Sequence, residues 1–122
     1  MAFISRTHGH RMGSCVGTGQ CVALVQHTAG VPHTSKWRRG ALVRGGDHPA
    51  GTAIATFSST GRYANHVDGR SHAAIFLEET PEGIRVCDQW HGQACHTRLI
   101  RYKAGKGLPV DDGDAYYVIE VA

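Results

Sequence analysis

Two segments of strand character, residues 71–77 (Ser-His-Ala-Ala-Ile-Phe-Leu) and 83–90 (Gly-Ile-Arg-Val-Cys-Asp-Gln-Trp), are joined by only Glu78-Glu79-Thr80-Pro81-Glu82. A link this short cannot carry the crossover that parallel strands need, so the pair must close as an antiparallel hairpin. A sheet has to grow around that hairpin, and its apolar face needs a second layer to cover it. Further strands are legible on both sides. Residues 51–57 (Gly-Thr-Ala-Ile-Ala-Thr-Phe) combine small and β-branched side chains and predict a buried strand. Residues 97–102 alternate, residues 115–121 (Ala-Tyr-Tyr-Val-Ile-Glu-Val) form another strand, and residues 41–44 form a short one closed by Gly45-Gly46-Asp47. Residues 58–70 read as a loop whose one large side chain is Tyr63, and residues 103–114 as a Gly/Lys/Asp loop.

The covering layer is predicted near the N-terminus. Gly17-Thr18-Gly19-Gln20 is a glycine-rich turn running into Cys21-Val22-Ala23-Leu24-Val25-Gln26, where Val22, Leu24, Val25 and Ala29 fall on or near one helical face. Gly30 and Pro32 stop that helix. Residues 1–16 are polar and irregular, and residues 33–40 are expected to be a polar connection, with Trp37 as a lid over the core. A helix followed by strands makes this an α+β chain with a mostly antiparallel sheet, one domain over residues 1–122. That length supports a modest core.

Charge and composition exclude several function classes. The formal net charge is +3, which suits an approach to an anionic polymer but demands none. No run of Lys and Arg interleaved with aromatics is present, so nucleic acid is not an expected partner. Met1-Ala2-Phe3-Ile4-Ser5-Arg6 lacks the apolar core of a signal peptide, and no segment reaches membrane-spanning length. The expectation is synthesis in a reducing bacterial cytoplasm with four free thiols, and no membrane association. Export without a cleaved signal stays open. So does a bridge between Cys15 and Cys21.

The chemistry starts at Cys21. A thiol at a helix N-terminus meets unpaired backbone N–H groups and the positive end of the macrodipole, both of which favour its thiolate. The hairpin supplies a partner: pairing residue 76 with 84 sets 74 against 86 and His72 against Asp88 on one face. A carboxylate there fixes the imidazole tautomer and stabilises the imidazolium. A one-residue slip sets Gln89 against His72 instead, an orienter without charge. A metal reading competes. Cys87, His91, Cys95 and His96 lie close together, and His8 and His10 form a second group. The usual paired zinc spacings are incomplete, so no metal and no cofactor are expected. Ser58-Ser59-Thr60 lacks the context of a serine nucleophile, and the glycines fit neither a phosphate loop nor a dinucleotide fingerprint.

Gly19-Gln20-Cys21 opening a helix, and Ser71-His72-Ala73-Ala74-Ile75-Phe76-Leu77 as the histidine strand, resemble the NlpC-like and CHAP papain-like cysteine hydrolases. Residues 51–57 stand where those enzymes carry the preceding strand, and Asp88-Gln89-Trp90 ends the following one. The resemblance spans roughly residues 13–121; only its cysteine and histidine motifs are specific. It implies a papain-like fold and a bacterial cell-wall amidase or endopeptidase acting on peptidoglycan stem peptides. Small members of that superfamily include type VI secretion amidase effectors, which implies action in the periplasm or cell wall and an immunity protein over the cleft. Carried onto this chain, Cys21 is the nucleophile, His72 the base and later acid, and Asp88 the orienter. The Cys21 N–H is the expected oxyanion donor, with Gln20, Tyr63 and Gln89 as candidate neighbours. The alternatives are a binding module that keeps the fold without activity, and a small zinc-binding domain.

Overall fold

The computed structural model describes residues 2–7, 9, 12–64 and 69–121. One helix, α1 (Cys21–Ala29), precedes six strands: β1 (Trp37–Leu42), β2 (Ala53–Thr56), β3 (Ala73–Glu79), β4 (Gly83–Trp90), β5 (Gln93–Arg101) and β6 (Tyr116–Val121). They form one sheet in the order β1-β6-β2-β3-β4-β5, with every neighbouring pair antiparallel. Short 3-10 turns at Thr34–Lys36, Pro109–Asp111 and Gly113–Ala115 punctuate the loops. Among the described residues no helix is long and apolar enough to cross a membrane.

The sheet has an apolar cluster on each face. On one face α1 lays Leu24 and Val25 against Ala53, Ala55, Ala73, Ile75, Cys87 and Ile119. Leu24 and Val25 are wholly buried and contribute on the order of 1.5–3 kcal/mol each. On the other face Val43, Ile54, Ala74, Phe76, Ile84, Val86, Ile100 and Tyr116 form the second cluster. β2, at the sheet's centre, is buried along its whole length because it is covered on both sides.

The expected helix, hairpin and central strand are present; the outer elements differ. Trp37 belongs to β1 rather than to a polar connection. It is fully buried, its Nε1–H donates to the Pro32 carbonyl at 2.9 Å, and its ring packs at a tilt against Tyr63, centroids 4.8 Å apart. Burying that much surface draws the strand back to residue 37. β5 starts at Gln93, earlier than alternation alone suggests, because His91-Gly92 is a tight turn with Gly92 at φ +92°. The hairpin register is also corrected: Phe76 pairs with Val86, two residues beyond the expected Ile84. β3 runs on to Glu79, which pairs with Ile84, and a bulge between Phe76 and Glu78 makes up the difference. Unbroken, the Glu79–Ile84 register would set Gln89 on the face of His72. The bulge restores the face, so Asp88 shares it as a diagonal neighbour rather than a direct partner.

Candidate active site

Cys21 is the first residue of α1, and the turn before it is held at three points. The Gly19 N–H donates to the Val16 carbonyl at 3.0 Å, with Gly17 and Gly19 at φ +58° and +85°. The left-handed φ at Gly17 favours glycine, and an added Cβ there would also crowd the His27 ring at 2.8 Å and Ala23 Cβ at 3.1 Å. The strongest hold is Gln89, fully buried in β4. Its Oε1 accepts the Val16 N–H at 2.9 Å, and its Nε2 donates to the Val16 and Gln20 carbonyls, each at 2.9 Å. An amide offers both a donor and an acceptor, and here both are spent on the cysteine's approach loop.

His72 sits just before β3 and is fixed through its main chain by Thr56. The His72 N–H donates to Thr56 Oγ1 at 3.0 Å, the Thr56 N–H donates to the His72 carbonyl at 3.0 Å, and Thr56 Oγ1 donates to the Arg70 carbonyl at 3.1 Å. The imidazole packs edge-on against Trp90 and Tyr116. Its Nε2 meets Asp88 Oδ2 at 2.7 Å, which leaves Nδ1 for the side of the Cys21 thiol, whose negative charge favours the imidazolium. Tyr63 Oη lies 3.7 Å from Cys21 Sγ.

Asp88 has no exposed surface, yet it is ringed by basic side chains. Arg98 Nε donates to Oδ2 at 2.8 Å, the oxygen His72 uses, and His96 Nε2 lies 3.7 Å from Oδ1. Among the described residues Oδ1 accepts no hydrogen bond. The Arg98 guanidinium also lies over the Trp90 ring, 5.1 Å from its centroid.

The electrostatics follow from this placement. Burial works against charge on His72, but the bonds to Asp88 and Cys21 outweigh it and push the imidazole up to about 9. Burial also opposes the Cys21 thiolate; the bond and charge of His72, then the Tyr63 and Ala73 donors, outweigh it and hold the thiol below its ordinary range. Asp88 is held below the usual carboxylate range, burial being overcome by His72 and then Arg98. Tyr63 is pushed up by burial and by the neighbouring sulfur, so it stays a donor. The arrangement favours a thiolate–imidazolium pair with a carboxylate behind it.

The structure thus brings together Cys21, His72, Asp88 and Tyr63. Gln20 is placed differently: its side chain is exposed and makes no cap bond to α1, and only its main-chain carbonyl takes part, accepting from Gln89. Gln89 lies on the helix side of the sheet and is not an alternative partner for His72. A cleft of about 300 Å³ beside His72 is lined by Gly69, Trp90, Arg98, Val110 and Asp111. A second hollow of about 390 Å³ runs along Gly17, Gln20 and α1. Sequence reasoning missed Thr56 and Arg98. A lone threonine ending Ala-Ile-Ala-Thr was the available signal for the first. No local pattern marks Arg98, which reaches Asp88 only across the β4–β5 pairing.

The residues considered for zinc are divided. Cys87 and Cys95 are buried against each other, His91 is exposed in the turn, and His96 is on the Asp88 side. Among the described residues no group of three or more His, Cys, Asp or Glu is placed to hold a metal. His8 and His10 lie outside the described residues. All four cysteines are free, Cys15 exposed and Cys21 half-buried, so no bridge joins that pair.

Comparison with known proteins gives a consistent result. Residues 2–119 match the family described as domesticated amidase effector 2. A type VI secretion amidase effector 2 protein of Salmonella typhi is 40% identical over 114 residues, covering 83% of this chain and 84% of that protein. A domesticated amidase effector 2 of Ixodes scapularis is 40% identical over 108 residues, covering 84% and 71%. The solved structure of a type 6 secretion amidase effector 2 superposes with a TM-score of 0.82 at 32% identity, covering 98% of this chain and 95% of that one.

Proposed function

Because this chain belongs to the domesticated amidase effector 2 family, we propose that it is an antibacterial amidase that cleaves peptide bonds of peptidoglycan by cysteine catalysis. The observation that carries this reading is the continuous chain from the α1 N-terminus through Cys21 and His72 to Asp88. We further read the helix that carries the thiol, packed on an antiparallel sheet, as papain-like, and residues 1–122 as one catalytic domain.

In this mechanism the Cys21 thiolate attacks the scissile carbonyl of a stem peptide. The oxyanion that forms lies at the start of α1. There the Ala23 N–H is already spent on the Gln20 carbonyl at 3.1 Å, and the Cys21 N–H is the donor assigned to the oxyanion. The His72 imidazolium gives its proton to the departing amine, leaving a thioester on Cys21. Neutral His72 then takes a proton from water, the hydroxyl adds to the thioester, and the thiolate leaves with the acid product. Asp88 holds the ring through Nε2 and stabilises its charge, and Tyr63 donates to the sulfur in its anionic form. The cleft between Trp90, Arg98 and Val110 receives the peptide beside His72.

The kinship with type VI secretion effectors supports delivery to the cell wall of a neighbouring bacterium, with an immunity protein covering the Cys21–His72 cleft in the producer. The direct test is mass spectrometry of muropeptides after incubating purified sacculi with the protein. New products from wild type and none from Cys21→Ala are expected. A folded wild-type protein that leaves muropeptides unchanged would return the chain to the binding-module reading.

A further inference from the structure

We propose that Cys87 and Cys95 form a disulfide when the protein enters an oxidising compartment, cross-linking β4 to β5 directly behind Asp88. Their sulfurs lie 3.2 Å apart as free thiols, at 0% and 1% exposure, on the helix-facing side of the sheet. A bonded pair needs about 2.05 Å, an approach of about 1 Å that side-chain rotation supplies. Cys87 pairs with Thr97, so Cys95 is its diagonal neighbour across the β4–β5 ladder, and the contact between the two sulfurs spans that offset. Neither sulfur has a part in the proposed chemistry. Of the other two thiols, Cys15 is exposed, and Cys21 is engaged by His72 and Tyr63.

The reaction needs an oxidant that carries a disulfide, either a small thiol disulfide or a dithiol oxidant protein. One cysteine attacks an oxidant sulfur as its thiolate and expels the other as a thiolate, giving a mixed disulfide. The second cysteine attacks the protein sulfur of that intermediate and expels the remaining oxidant thiolate. Cys87 and Cys95 together give up two electrons and two protons, and the oxidant disulfide becomes two thiols. Access comes from the sheet edge. β5 is the outer strand, and the segment at Gly13 and Ser14 closes over it: the Gly13 N–H donates to the Cys95 carbonyl at 2.8 Å, and the Cys95 N–H to the Ser14 carbonyl at 2.9 Å. Lifting that segment uncovers Cys95 first, which makes it the attacking thiol. Burial pushes both thiols up, so the closed protein is slow to react and oxidation proceeds through the opened edge.

The bond would tie together the hairpin that carries both Asp88 and Gln89, and so would fasten the supports of the base and of the nucleophile at once. It does not depend on the catalytic assignment, since the sulfurs face away from the Asp88 carboxylate. The folded wild-type protein is incubated with oxidised glutathione, then denatured and alkylated, and mapped after cleavage at Trp90, which lies between the two cysteines. The expected result is a linked Cys87–Cys95 peptide pair and a melting temperature higher by on the order of 5–10 °C than that of the reduced protein. Cys87→Ala and Cys95→Ala should each abolish that difference. The wild-type map decides even if either variant fails to fold. Recovery of Cys87 and Cys95 as separately alkylated thiols, a bridge from either to Cys15 or Cys21, or an oxidised form that melts no higher than the reduced one would overturn the proposal.

Discussion

Asp88 and Gln89 are consecutive, fully buried residues of β4, and they serve opposite sides of the sheet by opposite means. On the Asp88 side, position is held by charge: His72 and Arg98 share one carboxylate oxygen, and His96 stands near the other. On the Gln89 side it is held by neutral hydrogen bonds and apolar packing, with one amide gripping the turn that presents Cys21. The base therefore rests on a support that titrates and the nucleophile on one that does not. Damage to either should reduce activity, but only damage to the first should change the pH dependence.

The largest effect should come from cutting the contact where the two supports meet. Cys21→Ala and His72→Ala should each lower turnover of sacculi by at least about 10⁴-fold, and the double variant should be little worse than either, because the pair acts as one unit. Circular dichroism should show both folded. Next in size, Asp88→Asn should cost on the order of 10²-fold or more, while leaving the wrong tautomer of His72 in place.

The pH profile sharpens the comparison. The imidazolium in the wild type is held up to about 9, so activity should fall on an alkaline limb near that pH, and Asp88→Asn should move the limb downward. The same shift bears on folding. A histidine raised from 6.5 to about 9 stabilises the native state fully below 6.5, and that contribution is lost as pH rises through about 9. Asp88, depressed, contributes above its ordinary range and loses its contribution as pH falls through its lowered value. Thermal melts across pH should therefore peak between these limits.

Gln89→Ala should act on stability more than on chemistry. It strands the Val16 N–H and removes one of two hydrogen bonds at each of the Val16 and Gln20 carbonyls, for a loss of about 1–3 kcal/mol by denaturant titration, and it should leave the alkaline limb where it is. A limb displaced by Gln89→Ala would break the division of labour between the two sides. The smallest effect is expected from Arg98→Gln. A few-fold loss of activity with a limb displaced less than in Asp88→Asn would place Arg98 as a positioning residue acting through the carboxylate.

Much of this was legible in the chain because it depends on local signals. The glycine turn and apolar stripe around Cys21 specify a helix that starts at the thiol, and the five-residue link specifies an antiparallel hairpin wherever the sheet forms. The candidate residues Cys21, His72 and Asp88 could be named because alternation decides which side chains share a face within one strand.

Which residue of β4 faces His72 was decided only by the tertiary structure. The hairpin turn alone would have delivered Gln89; the bulge at Leu77 delivers Asp88, and nothing in Phe76-Leu77-Glu78 announces it. A bulge forms where the second apolar face, with Ala74, Phe76, Ile84 and Val86, buries more surface than an unbroken ladder would. The partners of Asp88 and Gln89 are likewise set by long-range pairing: Arg98 arrives across β5, and Val16 is 73 residues from the amide that holds it. Local sequence carries periodicity and turn chemistry. Register and long-range partners are settled by which global packing buries the most apolar surface while leaving buried polar groups paired.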